Sequence, residues 1–213
     1  DDLEAIGRLC LARGIRVLSD EVWCDIVYPP AQFTSWLALE PSLAAIGAVV
    51  YGFSKGFALA GLRLGCVAMV DGDAAAWLLA ASEQPSTVDG VSTLSQVAGI
   101  AACEAEALRW QQTFLNHLRA RRDQVVTALA AVPGVELSPP QATYVAWLRL
   151  PARAPAAEVV ASQLLERHKV ALVPGTPRWF GERAAGHLRL CFATSEAVLA
   201  EGLRRLVAGL RET

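Results

Sequence analysis

The chain has 213 residues, of which 54% are hydrophobic and 19% charged, and its formal net charge is −2. That length and balance suit one good-sized core or two small ones and argue against a disordered chain. No basic run interleaved with aromatics supplies a nucleic-acid surface, so that function class is set aside. Cys10, Cys24, Cys66, Cys103 and Cys191 are odd in number and lack C-x-x-C spacing. They read as reduced core thiols of a cytosolic protein, neither a disulfide framework nor a zinc site. His117, His168 and His187 are too scattered for a metal set, so no metal is expected. Every apolar run is interrupted before membrane-spanning length and no secretory segment opens the chain, so no membrane partner is expected.

In chain order, the spacing of Leu3, Ile6, Leu9 and Cys10 predicts a helix over 3–13 with these four on one face, ended by Gly14. "IRVLSDE" (15–21) then predicts a short apolar strand that turns acidic at its end. Helix, glycine and strand form the second half of a βαβ unit, and the missing first strand suggests a sequence that starts inside a domain. After the loop "YPPAQFTSW", "AIGAVVYGF" (45–53) reads as a buried parallel-type strand that ends at Ser54 and Lys55. "LGCVAMV" (64–70) follows too closely for a helical crossover and suits an antiparallel neighbour. Leu108, Leu115, Leu118, Val125 and Leu129 carry a helical pattern through about 93–131, stopped by Pro133-Gly134.

The remainder reads as an α+β unit. Strands are predicted at "VELSPP", "ATYVAWLRL", "VALVP" and "HLRLCFA", with a helix opening at Pro155. Ser195 should N-cap a last helix with a stripe of Val198, Leu199, Leu203, Leu206 and Leu210. The expected domains are residues 1–120, a partial large domain with its linking helix, and residues 121–213, a smaller α+β domain.

Asp20 ends the first predicted strand and Lys55 follows the second. If the strands are parallel neighbours, both side chains emerge at the carboxyl edge of one sheet, where open α/β proteins bind ligands. Each also has a plainer reading, Asp20 as a turn or cap residue and Lys55 as part of a solvated turn. Arg63 behind Lys55, with Gly61 and Gly65 around it, makes the combination more telling than either residue alone.

The segments "SDEVW", "SKGFALAGLRLG" and "HLRLCFATS" resemble the pyridoxal-phosphate fold-type I enzymes, the class I and II aminotransferase superfamily. "SDEVWCDIVYP", "PPQATYVAW" and "RLCFATS" are closest in flavour to its cystathionine β-lyase-like C–S lyase branch. The resemblance implies an α/β fold: the C-terminal part of a large cofactor domain with a mixed, mainly parallel sheet, followed by the smaller domain. It implies pyridoxal 5'-phosphate as cofactor, a small amino-acid substrate and a homodimer. Lys55 becomes the Schiff-base lysine, Asp20 the partner of the pyridine nitrogen, Arg63 and Ser54 phosphate ligands, and Arg189 the clamp on the substrate carboxylate. An arginine on the exposed face of a strand is the plainer reading of Arg189, since "HLRLC" sets it opposite Leu188 and Leu190.

Two positions depart from the family pattern. Trp23 stands where many aminotransferases have a tyrosine that bonds the cofactor's phenolic oxygen, and an indole N–H donates but cannot accept or ionise. Trp23 reads either as that cofactor neighbour or as an aromatic packed under a loop. Gly52 stands where a hydroxyl commonly meets the phosphate. Family members are roughly twice this length, so the chain reads as their C-terminal half, without much of the phosphate cradle. It is expected to be an amino-acid enzyme, aminotransferase or C–S lyase, or else a truncated, inactive remnant that keeps the fold for assembly. A nucleotide-binding domain is the weakest rival, because no G-x-G-x-x-G or P-loop follows any predicted strand.

Overall fold

The computed structural model of the chain describes residues 2–83 and 90–212. They fall into two compact units, residues 1–113 and 114–213, each described by itself.

The first unit opens with helix α1 (Asp2–Ala12), closed by Gly14 in the left-handed region at φ 64°. Of its predicted apolar face, Leu3 and Cys10 are half-buried while Ile6 and Leu9 are exposed. The helix rolls instead onto Gly7, where a Cβ would come within 3.0 Å of the Leu43 side chain, so the closest approach fixes which flank is inside. Strand β1 (Val17–Asp20) pairs in parallel with β2 (Gly47–Gly52), in register from Val17↔Gly47 to Asp20↔Val50.

The connection between them carries helix α2 (Pro41–Ala44) and a 3-10 turn at Trp36–Ala38. Its anchor is Trp36, buried, with Nε1 donating to the Leu43 carbonyl at 2.9 Å. Buried Glu21 holds the loop's other side, accepting from Trp36 N at 2.8 Å and from the Ser19 hydroxyl at 3.1 Å.

β2 runs directly into the single turn of α3 (Phe53–Gly56), and β3 (Gly65–Met69) returns antiparallel to β2, as the short connection requires. Helix α4 (Gly72–Ala81) then starts on Asp71, whose carboxylate accepts the N–H groups of Asp73 and Ala74 and pairs with Arg16 at 3.0 Å. The Ala74 N–H and the Arg16 guanidinium hold that carboxyl below its ordinary range. The continuous helix expected over 93–131 is two helices, α5 (Thr93–Ala102) and α6 (Ala105–Ala130). Cys103 and Glu104 bond three residues back, to Ile100 and Ala101, and this tightened turn ends α5 before Glu104 starts the next. Leu108 in α6 is exposed, whereas Leu118, Val125 and Leu129 are buried as their spacing predicts.

In the second unit β4 (Glu136–Leu137), β5 (Val145–Arg149), helix α7 (Ala157–His168), β6 (Val173–Pro174), the short helix α8 (Pro177–Phe180), β7 (His187–Cys191) and helix α9 (Glu196–Leu210) follow in order. The sheet order is β4-β5-β7-β6, all antiparallel. "VELSPP" contributes only two strand residues, since Pro139 and Pro140 have no N–H for a ladder. The Ser195 hydroxyl caps α9 through the Val198 N–H, and Leu199, Leu203, Leu206 and Leu210 are buried while Val198 faces solvent.

The described cysteines are all free, but they are not core residues: Cys66, Cys103 and Cys191 are exposed, Cys10 and Cys24 half-buried. For Cys191 the pleat is the reason, because it shares the Arg189 face of β7 while Leu188 and Leu190 take the buried one. Among the described residues no helix is long and apolar enough to cross a membrane.

Candidate active site

The parallel pair β1–β2 builds the site's edge. Asp20 is the last residue of β1, and the ladder extends one bond further, from Glu21 N–H to the Val50 carbonyl at 2.8 Å. Asp20 is exposed and its Oδ1 accepts the Val22 N–H at 3.2 Å. It is therefore a turn residue through one oxygen, and a ligand can use the other. The turn closes through Cys24 N–H to Glu21 O and Ile26 N–H to Trp23 O, both 3.0 Å.

Lys55 lies in the single turn of α3 that continues β2, half-buried. Its Nζ is 5.0 Å from the centroid of the Trp23 ring, a cation–π contact that joins the Asp20 turn to the lysine. Ser54 is also half-buried, and a Cβ added at Gly52 would sit 3.8 Å from its hydroxyl. Arg63 is exposed in a left-handed conformation, φ 54°, closing the 3-10 turn Ala60–Leu62. With Gly61, Leu62, Gly65 and Ser95 it lines a cavity of about 970 Å³, whose walls do not include Asp20 or Lys55. Thus Lys55 and Trp23 touch, Asp20 shares their sheet edge, and Arg63 opens on a neighbouring space.

Arg189 belongs to the second unit. Leu188 and Leu190 point inward on either side of it, as the alternation predicts. Its guanidinium is 5.6 Å from the Phe180 ring centroid, and its cross-strand partner Trp147 stacks on His187 at 5.3 Å. Arg189 is thus half-buried on the outer face of β7, beside an aromatic wall.

The sequence reading missed two residues at this site. Tyr51 Oη donates to Asp25 Oδ2 at 2.8 Å, and the backbone of Gly56 lies so close to the same carboxylate that a Cβ there would overlap it. Burial, and then the hydrogen bond and charge of Asp25, push the Tyr51 phenol well above its ordinary range. The Cys24 thiol is pushed up to about 11, first by burial and then by Asp25 and Glu21. The available signal was the second aspartate in "DEVWCD", five residues after Asp20. Among the described residues no group of three or more His, Cys, Asp or Glu could hold a metal ion.

A family model described as "Aminotransferase class I and II" matches residues 1–206. The aspartate aminotransferase of Geobacillus stearothermophilus is 30% identical over 214 residues, covering 97% of this chain and 52% of that protein. A cystathionine beta-lyase of Bacillus subtilis is 29% identical over 211 residues, covering 99% and 54%. Among solved structures, cystalysin from Treponema denticola, whose structure contains a pyridoxal 5'-phosphate cofactor, superposes with a TM-score of 0.88 at 20% identity. That superposition covers 99% of this chain and 52% of cystalysin, and at this identity it speaks for the fold. The chain spans about half the length of the curated relatives it matches.

Proposed function

The chain belongs to the class I and II aminotransferase family, and from that premise we propose that it carries the lysine-bearing part of a pyridoxal-phosphate enzyme acting on amino acids, by transamination or by C–S cleavage. Pyridoxal phosphate is the cofactor of the family. When bound, it supplies an electron sink for the electron pair released at the substrate Cα.

Lys55, Trp23 and Asp20 share one sheet edge that suits that group, and Arg63 lines the cavity beside it. Lys55 Nζ would be the amine that holds it and would then move the proton at the substrate Cα. The Asp20 carboxylate would keep a proton on the pyridine nitrogen. Arg63, with the Ser54 hydroxyl, binds phosphate oxygens, for which a guanidinium is suited. Arg189 grips the substrate carboxylate in a two-bond fork. Trp23 sets its ring face against Lys55 Nζ and offers no ionisable phenol.

One observation carries the reading: parallel pairing of β1 with β2 brings Asp20 and the Lys55 turn to the same carboxyl edge, with Trp23 over Nζ. The test is to mix the chain with pyridoxal phosphate, reduce with borohydride and map the modified peptide. The expected result is a stoichiometric adduct on Lys55 that disappears in Lys55→Ala. No adduct, or one that survives Lys55→Ala, overturns the reading in favour of a non-catalytic remnant of the fold. Product analysis with cystathionine, and with an amino acid plus a 2-oxo acid, then separates lyase from transferase.

The proposal extends to a cytoplasmic homodimer. Leu94, Val97 and Ile100 form an exposed apolar stripe on α5 that supports self-association, and free thiols suit a reducing compartment.

A further inference from the structure

We infer that Asp25 and Tyr51 are positioning residues for Lys55, a latch that sets its amine against the Trp23 ring. The inference rests on the reading of Lys55 as the cofactor's amine.

The need for a latch follows from where the sheet stops. The β1–β2 ladder ends with Glu21 N–H on the Val50 carbonyl. Beyond that point the turn closes on itself, through Cys24 to Glu21 and Ile26 to Trp23, and these local bonds do not set its height over α3. The Tyr51–Asp25 hydrogen bond spans the gap at 2.8 Å, from the β2 residue four before Lys55 to the turn residue two after Trp23.

The same carboxylate abuts Gly56, the residue after Lys55, where no side chain fits. Asp25 therefore touches the chain on both sides of the lysine. Tyr51 is itself held edge-on by Phe53 at 5.2 Å, and Phe53 packs on Phe57 at 5.8 Å, so the α3 turn is gripped by its own aromatics. Because burial and Asp25 push the Tyr51 phenol well above its ordinary range, the donor of this bond keeps its proton.

The chain has two lysines, Lys55 and Lys169, which makes the test internal. Lys169 Nζ donates to the Glu166 carbonyl in the second unit and serves as the reference. The full chain is reductively methylated with formaldehyde and cyanoborohydride between about pH 7 and 11, and the Lys55 to Lys169 rate ratio is read by peptide mass spectrometry. Tyr51→Phe, which keeps the ring, and Asp25→Ala should each change that ratio about threefold or more, the scale of one hydrogen bond. Asp25→Asn retains an acceptor for the phenol and should restore most of it.

An unchanged ratio in Tyr51→Phe, or Asp25→Asn behaving like Asp25→Ala, overturns the latch. Failure of the unmodified chain to trap pyridoxal phosphate on Lys55 overturns the functional reading instead and leaves the ratio unaffected, so the two failures are distinguishable.

Discussion

The two sheets are made of similar residues and are covered very differently. In the second unit β5 and β7 alternate cleanly, with Leu148 and Leu188 fully buried, and Leu164 of α7 and Leu206 of α9 are equally enclosed. In the first unit one face of β2 is closed: Val49 is buried, and the Trp36 ring lies so close to Gly47 that a Cβ there would overlap it. Leu18 of β1 is 70% exposed and Trp77 of α4 69%, and they line an open apolar cavity of about 580 Å³ with Ala48, Val67 and Met69. A parallel pair is ordinarily covered on both faces. The contrast teaches that the second unit is stabilised by its own core, whereas the site-bearing sheet is stabilised mainly through one layer.

The sharpest way to break that comparison is to truncate one leucine in each sheet. Leu188→Ala empties a fully enclosed position and should cost about 2–5 kcal/mol, read as a shift of the denaturation midpoint. Leu18→Ala removes a largely solvated side chain and should stay within about 0.5 kcal/mol. Comparable losses would mean that the first sheet is as enclosed as the second. The covered face of the first unit offers the intermediate case. Gly47→Ala drives a methyl into the Trp36 ring, and overpacking of this kind costs about 1–3 kcal/mol, measured by the same unfolding curve with indole fluorescence as probe. A neutral Gly47→Ala would show that Trp36 is not the keystone described above.

These cases show what was legible in the sequence. Asp20 and Lys55 stood out because continuous apolar runs end on them, and strand ends are where period and polarity change together. Arg189 stood out through the resemblance of "HLRLCFATS", while the alternation of its strand pointed only to an outward-facing arginine. The split at Cys103–Glu104 has no proline or glycine to announce it. Helix α4 has its Asp71 cap but, in "GDAAAWLLAA", no apolar stripe, so a period-based reading passes over it. The Tyr51–Asp25 bond was not legible because it joins residues 26 apart, and the β1–β2 register that brings them together is a tertiary fact. Exposure of Ile6 and Val198 likewise depends on which flank a neighbour covers.

A smaller effect tests the site edge itself. At Gly52 an added Cβ would meet ordinary contacts at 3.6–3.8 Å, and the backbone there is extended, so packing does not demand glycine. Gly52→Ser should therefore leave stability unchanged. It should also tighten pyridoxal phosphate binding by about threefold or more, through one added phosphate hydrogen bond, as followed by absorbance titration. A destabilised variant would mean that the β2–α3 junction is less roomy than its geometry, and weaker binding would mean that the phosphate lies elsewhere.

The smallest expected effect separates the units by pH. The Cys24 thiol ionises near 11 in the folded chain against an ordinary 9.0, so above pH 9 the unfolded chain loses its proton first. The folded state then binds more protons than the unfolded one, and stability falls as pH rises from 9 toward 11, having been fully present below 9. Tyr51 acts in the same sense, but only from the ordinary tyrosine value of 10 upward. In the second unit the Tyr144 phenol is likewise raised, by burial and then by Cys191, and its contribution also begins at 10. The first unit should thus start to loosen at lower pH than the second, and Cys24→Ala should remove the early part of that decline. Hydrogen exchange at pH 9–10, resolved by peptide, checks it: equal onset in both units, or an unchanged onset in Cys24→Ala, would assign the alkaline limb to something other than this thiol. Because Cys24 is half-exposed, solvent screening keeps the effect below those of the packing variants.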